Sequence, residues 1–203
     1  MYKKILSRLF LIAVLLFAVR LLNSPTAFAH QGHEGPKKVL IKENDAIKTM
    51  LPEGGKIVRR KEALKKDQYN TALKRWGYSP EEGVYSYFIS KDKGGTLTGA
   101  LFIQTVEYKH GRIEIAVGYD KTGQLTDIKI LSFSEKYLKE VTEDILTNGF
   151  LDNFSHLKTN EVILKGKSYE NEPKEALKSI IAKEIKGTAI LFNLFLVKLF
   201  QGK

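Results

Sequence analysis

The stretch KHGRIEIAVGYDKTGQLTDIKIL, residues 109–131, decides the fold of this chain. Apolar residues alternate with polar or small ones from Arg112 to Tyr119, which is the period of a half-buried β-strand. A tight connection follows at Asp120–Gly123, where Gly123 can adopt a positive φ angle without steric cost. The alternation resumes over Thr126–Ile130. The stretch therefore predicts two antiparallel strands joined by a short turn.

More strands and helices surround this hairpin. Two strand patterns precede it, at Val84–Ile89 and Leu97–Val106, with a glycine turn at Lys91–Gly95 between them. Helical patterns lie at Asn44–Met50, Arg60–Trp76, Ser134–Leu146, Pro173–Lys186 and Ala189–Phe200. Strands in the middle with helices on both sides predict an α+β fold. We expect an antiparallel sheet meander of four strands or more, packed by N- and C-terminal helices.

Two C-terminal segments are less regular. Gly149–Leu157 is predicted to be a loop or a broken helix, because it lacks a sustained helical period. Ala189–Phe200 is apolar except at Asn193 and Lys198. We interpret this last segment as a core helix that covers the sheet. The alternative is a tail that contacts a membrane, and such a tail is too short to span one.

The first 29 residues have the organisation of a signal peptide. A basic start precedes the apolar run Leu9–Val19, and Ala27-Phe28-Ala29 has the small residues that signal peptidase reads. The alternative is an uncleaved anchor reaching Leu22, but Arg20 lies inside that longer run. Residues 1–29 therefore predict export through a cleavable signal peptide, to a periplasmic or other extracytoplasmic location.

Composition limits the classes of function. The chain has 203 residues and no cysteine, which excludes disulfides, thiolate metal sites and cysteine nucleophiles. Loss of residues 1–29 removes Lys3, Lys4, Arg8 and Arg20, which lowers the net charge from +10 to +6. Because the remaining bases are mixed with acids, we expect no nucleic-acid partner. This charge favours an acidic partner or peripheral contact with an anionic membrane.

Histidines are the candidates for metal binding and proton transfer in this sequence. Cleavage after Ala29 would make His30 the new N-terminus, where its amine and imidazole, with His33, could bind copper. His110 lies near Glu107, and such a pair can transfer protons. No nucleophile accompanies that pair in sequence, so a surface histidine in a turn is the favoured interpretation. We therefore predict no catalytic residue and no metal ligand.

Glycines and acids recur in and around the hairpin, at Gly111, Gly118, Asp120, Gly123 and Glu135. Through these residues the stretch Tyr87–Glu135 resembles the FMN-binding domain family, which includes periplasmic flavin subunits of Rnf and sodium-pumping NADH:quinone oxidoreductase complexes. It extends over about residues 84–203. Together with the signal-peptide pattern and the Gly- and Pro-containing lead-in, it divides the chain into three regions: a signal peptide (1–29), a flexible lead-in and N-terminal helical segment (30–82), and an FMN-binding-like domain (83–203). In this scheme His30–Lys38 (HQGHEGPKK) is the flexible lead-in.

The resemblance also implies a cofactor site. In that family a threonine at the start of the last helix carries FMN through a phosphoester bond. Here the corresponding residues are Lys186-Gly187-Thr188-Ala189, with Ala189 at the acceptor position. Thr188 stands one place early, which turns its side chain by about 100° on a helix. We therefore expect any FMN to be non-covalent, with its phosphate held by Lys186, Gly187 and Thr188. Gly111 and Glu135 complete the predicted cofactor-binding set.

Three functions follow from these patterns. The first is an exported FMN-binding protein that carries electrons, rather than an enzyme that converts a substrate. Its partner would be a membrane-bound redox complex or a periplasmic electron carrier. The second is a flavin-free module that assembles on such a membrane complex. The third is a periplasmic copper-binding protein that uses His30.

Overall fold

The computed structural model describes residues 35–53, 55–173 and 176–197. In this part of the chain six strands form one antiparallel sheet. They are β1 (Lys37–Val39), β2 (Lys56–Ala63), β3 (Val84–Lys91), β4 (Leu97–Tyr108), β5 (Gly111–Asp120) and β6 (Leu125–Ser134). The strand order is β1-β6-β5-β4-β3-β2, so β2 to β6 form a meander. This confirms the predicted α+β fold with an antiparallel meander.

The hairpin predicted from residues 109–131 is formed by β5 and β6. Its turn is fixed by Asp120, whose Oδ1 accepts hydrogen bonds from the amides of Thr122 at 2.7 Å and Gln124 at 3.0 Å. Gly123 has a φ angle of 80°, as the turn requires. Two irregularities in the β5–β6 register, after Glu114 and after Gly118, interrupt an otherwise continuous ladder.

Four longer helices accompany the sheet. They are α1 (Glu43–Met50), α2 (Lys66–Trp76), α3 (Thr159–Ser168) and α4 (Leu177–Phe195). Between β6 and α3 the chain forms short helical turns of changing type. These are a 3₁₀ turn (Glu135–Tyr137), an α turn (Leu138–Glu140), a π-helical segment (Val141–Leu146) and a 3₁₀ turn (Leu151–Phe154). A further 3₁₀ turn follows α3 at Tyr169–Asn171.

Two N-terminal predictions are wrong in part. The helix predicted over Arg60–Trp76 begins only at Lys66, because Arg60–Ala63 continues β2 and pairs with β3. The Gln68 side chain accepts a hydrogen bond from the Lys65 amide at 2.8 Å and closes the start of α2. The lead-in predicted to be flexible to Lys38 contributes β1, which pairs with β6. Neither strand has an alternating pattern, since lysine and arginine dominate both.

The break predicted between Lys186 and Ala189 is also wrong. One continuous helix, α4, passes through these residues, and Pro173 lies before it rather than in its first turn. Gly187 is tolerated inside α4 although glycine lowers helix stability by about 1 kcal/mol. Tertiary packing on both sides of this helix outweighs that local preference.

Two hydrophobic clusters lie on the two faces of the sheet. The larger one includes α4 and stacks Tyr87 between Phe102 and Phe195, with ring centroids 5.3 and 5.6 Å apart. The smaller one joins α1 to the opposite face. Its members are Ala46, Ile47, Met50, Leu51, Leu101, Ala116 and Leu131. The described part of Ala189–Phe200, up to residue 197, therefore contributes to the core.

In the part of the chain that the structure describes, no helix has the length and apolar character needed to cross a membrane.

Candidate functional site

The predicted phosphate-binding residues lie in the middle of α4. In an α-helix each amide donates to the carbonyl four residues earlier, and only the first four amides are free. Lys186, Gly187 and Thr188 are the tenth to twelfth residues of Leu177–Phe195. Their amides are therefore occupied by the helix itself and are not available to a phosphate.

The side chains of these residues are occupied as well. Lys186 is 5% exposed and forms an ion pair with Glu170. Thr188 Oγ1 donates to the Ile185 carbonyl at 2.8 Å and lies 2.8 Å from Tyr119 Oη. Because the Thr188 proton is used on Ile185, Tyr119 is the donor in the second bond. Burial raises the pKa of Tyr119, so the phenol stays protonated and can donate this hydrogen bond.

The space beside Gly187 is filled. A Cβ atom at this position would lie 2.7 Å from Tyr78 Oη, which is closer than side chains approach in folded proteins. Ile190 and Phe192, one turn further along α4, are buried in the larger cluster. The glycine serves close packing between α4 and Tyr78.

The other two predicted residues lie elsewhere. Gly111 begins β5, where a Cβ atom would lie 2.8 Å from Tyr137 Cε2. The Glu135 amide donates to the Pro36 carbonyl at 2.8 Å. Tyr119, which contacts Thr188, is eight residues along β5 from Gly111, or roughly 26 Å at the rise of a strand. The five residues therefore form two groups and not one site.

These residues do not fit FMN held as the sequence predicted. A phosphate needs free amides, an available cation and open space, and residues 186–188 provide none of the three. This occupancy was not visible in the sequence, because one glycine between two apolar runs suggests a helix boundary.

A cleft of about 1000 Å³ lies at the C-terminal end of α4. Two hydrogen bonds position its walls. Gln68 Nε2 of α2 donates to the Leu194 carbonyl at 2.8 Å, and Thr159 Oγ1 of α3 donates to Asn193 Oδ1 at 3.1 Å. Residues of β2, α2, α3, α4 and the β5–β6 turn line it. They are Glu62, Ala63, Lys65, Asp67, Gln68, Thr71, Arg75, Trp76, Thr122, Lys158, Thr159, Asn160, Asn193, Leu194, Phe195 and Val197.

The cleft combines an apolar wall with polar and charged groups. Trp76, the only tryptophan of the chain, and Phe195 provide aromatic surface. The Arg75 guanidinium carbon lies 5.2 Å from the centre of the Trp76 ring. Three cations and two carboxylates line the cleft, so its net charge is weakly positive. Asn193 Nδ2 is buried in this region without a hydrogen-bond partner among the described residues. The arrangement can hold a small amphipathic molecule that carries an anionic group.

The sequence patterns do not predict this cleft. Its lining comes from five separate segments with no shared motif. The single tryptophan at the end of the helix predicted over Arg60–Trp76 is the one available signal, and the apolar face of that helix explains it equally well.

The histidine candidates gain no support. Glu107 accepts a hydrogen bond from Arg112 Nε at 3.0 Å, and the His110 amide donates to Tyr137 Oη at 2.9 Å. His30 and His33 lie outside the described residues. Over residues 35–53, 55–173 and 176–197, no three His, Cys, Asp or Glu side chains are grouped to hold a metal ion.

No protein-family model, no curated protein and no solved structure matches this chain.

Proposed function

We propose that this chain is a flavin-free binding module that acts outside the cytoplasmic membrane and takes a small anionic amphipathic ligand in the cleft. One observation carries the choice of a module over an electron carrier. Lys186, Gly187 and Thr188 belong to the interior of a continuous, packed helix. A flavin phosphate would have to unwind this helix and break the Thr188–Tyr119 contact.

The location and the partner belong to the same proposal. Export is supported by the signal-peptide pattern of residues 1–29. The resemblance to periplasmic flavin subunits supports a membrane-bound redox complex as the partner on which the module assembles. Co-purification of the tagged protein with that complex from the native host is the direct test of the partner.

Flavin content tests the choice between module and carrier. The protein is purified from its native host, so that any flavin transferase is present, and its visible absorbance is recorded before and after denaturation. We expect no stoichiometric flavin in either sample. Stoichiometric flavin released on denaturation, or flavin fluorescence that stays with the denatured chain, would overturn the proposal.

Trp76 makes ligand binding in the cleft measurable. Anilinonaphthalene sulfonate is a suitable probe, because it is apolar, anionic and accepts excitation energy from tryptophan. We expect saturable energy transfer from Trp76 to the probe in the folded protein. Arg75→Gln should weaken probe binding about fivefold, because one charge contact in a solvated cleft contributes about 1 kcal/mol.

Lys74→Gln is the matched control. Lys74 is exposed, precedes Arg75 in α2 and does not line the cleft. It should leave the affinity of the probe unchanged. Equal weakening in both variants would show that the probe responds to overall charge and not to the cleft.

A further inference from the structure

β2 is the outermost strand at its end of the sheet. In the described part of the chain it pairs with β3 and with no other strand. Its register with β3 runs without interruption from Lys56↔Lys91 to Ala63↔Val84. Six of its eight residues are exposed. β2 therefore presents an exposed edge of eight residues with no bulge.

The free edge offers backbone hydrogen bonds. On an edge strand, alternate amides and carbonyls point away from the sheet and remain unpaired. An extended peptide can satisfy these groups by adding as a further strand. Because the edge is eight residues long, an added segment could extend over roughly 26 Å.

Charge selects the kind of segment that would fit. β2 carries four basic residues, Lys56, Arg59, Arg60 and Lys61, and the single acid Glu62. Arg59 is partly engaged, since its Nε donates to Ser86 Oγ at 2.8 Å. Lys56 and Lys61 have no ion pair among the described residues. The edge is therefore strongly positive, with cations available to a partner.

The same positive charge disfavours a second copy of this chain as the partner that pairs with β2. Two β2 edges pairing with each other would bring four bases against four bases, and like charges on adjacent strands are destabilising. An acidic strand would instead gain hydrogen bonds and ion pairs together. Ile57 is 39% exposed and offers one apolar contact beside the charges.

We propose that β2 accepts an acidic, extended segment of a partner protein as a seventh strand of the sheet. The segment pairs through its backbone, and its carboxylates lie on both of its faces, one opposite Lys56 and another opposite Lys61, because these two positions point to opposite faces of the sheet. This surface shares only Glu62 and Ala63 with the cleft, so it does not depend on ligand binding there.

Three labelled peptides test the proposal on the wild-type protein by fluorescence anisotropy. The first is Glu-Glu-Val-Val-Glu-Glu-Val-Val, which places two carboxylates five positions apart and therefore on opposite faces, as Lys56 and Lys61 are. The second has Lys in place of each Glu, and the third is the first with every second amide N-methylated. We expect binding of the first peptide alone. N-methylation removes the hydrogen-bond donors of one edge without changing charge, so it separates strand addition from simple attraction.

A charge-reversal pair tests the location. The double variant Lys56→Glu, Lys61→Glu should bind the acidic peptide at least about tenfold more weakly, since two ion pairs become two repulsions. The control is the double variant Lys48→Glu, Lys139→Glu, in which both positions are exposed and lie outside β2. It changes the net charge by the same amount and should lower the affinity for the peptide much less. The circular dichroism spectra and thermal unfolding of both double variants should match those of the wild type, which shows that they are folded.

Several results would overturn the proposal. These are no binding of the acidic peptide to the wild type, equal binding of its N-methylated form, or equal weakening by the two double variants. Binding of anionic lipid vesicles through Lys56 and Lys61, with no binding of the peptide, would assign the surface to a membrane instead.

Discussion

At the scale of single residues, the contacts of the Thr188 hydroxyl distinguish a structural role from a cofactor-binding role. In the sequence it stands one place before Ala189, the position that the resemblance to the FMN-binding domain family aligns with that family's FMN attachment site. In the structure it accepts a hydrogen bond from Tyr119 and donates one to the Ile185 carbonyl, in a place with almost no solvent access. A group that makes both bonds inside the core is structural. Its removal should therefore change stability.

Thr188→Val tests this role. The substitution keeps the shape of the side chain and leaves the buried Tyr119 hydroxyl without a partner, which should lower the free energy of unfolding by about 1–3 kcal/mol. Adding Tyr119→Phe should recover part of the loss, because both polar partners are then absent. Chemical denaturation of the two single variants and the double variant gives the coupling energy. Strictly additive losses would contradict the proposed hydrogen bond.

Glu184 should make the stability of the protein depend on pH. Burial raises the pKa of Glu184, with Glu81 adding to the effect and Lys183 opposing it. A raised carboxyl pKa favours the folded state at low pH, and this contribution is lost as the pH rises through the folded value. Glu184→Gln should therefore be more stable than the wild type at neutral pH. The difference should disappear below about 4.5, the ordinary pKa of a glutamate.

Thermal unfolding across this pH range checks the prediction. Glu143→Gln is the control, since Glu143 is an exposed glutamate in another helical segment. It should show no comparable gain at neutral pH. A gain for Glu184→Gln that persists unchanged at low pH would mean that ionisation of Glu184 is not its cause.

At the scale of elements, α3 and α4 pack unusually closely through Gly166. A Cβ atom on Gly166 would lie 2.7 Å from the Lys186 Cβ and 3.2 Å from the Ala182 carbonyl oxygen. These atoms belong to the backbone and the base of a side chain, so they cannot move aside easily. Close contact at this point holds Lys186 within reach of Glu170, which follows α3 in the chain.

Gly166→Ala should destabilise the protein. Alanine gains up to about 1 kcal/mol of helix propensity, but overpacking of a tight interface costs about 1–3 kcal/mol. We expect a net loss of about 1 kcal/mol in chemical denaturation. Lys167→Ala, on the exposed side of the same helix, should change stability by less than about 0.5 kcal/mol. A more stable Gly166→Ala protein would show that the helices separate readily.

The helices and strands also show which parts of the fold can be predicted from sequence patterns. The strands from β3 to β6 follow from alternation and glycine turns, because those signals lie within each segment. β2 does not, since its stretch VRRKEA has the composition of a helix and becomes a strand only beside β3. Likewise Lys186–Ala189 contains a glycine that suggests a helix start, and only packing against Tyr78 and α3 keeps the helix continuous.

At the scale of the whole molecule, the sheet separates two cores of unequal size. The larger cluster contains α4 and most of the aromatic residues, while the smaller one fixes α1 to the other face. Few buried side chains hold α1 in place. We therefore expect α1 to open locally at a lower free energy than α4.

Ile47→Ala tests this inequality. Truncation of a buried isoleucine in the smaller cluster should cost about 2–4 kcal/mol. Hydrogen exchange should accelerate more for the amides of α1 than for those of α4, because the cavity lies in the smaller core. Lys48→Ala, at the next and exposed position, is the control. Equal acceleration in both helices would show that the two cores unfold as one unit.

The sequence by itself determined the class of the fold, the meander and its central hairpin, since each depends on side-chain period and turn chemistry within a few residues. It did not determine the outer strands, the continuity of α4 or the cleft. Those depend on contacts between residues far apart in the chain, such as Gln68 with Leu194 and Tyr119 with Thr188. A predicted phosphate site became a packed helix because burial of its neighbours stabilises the folded chain more than one glycine destabilises the helix.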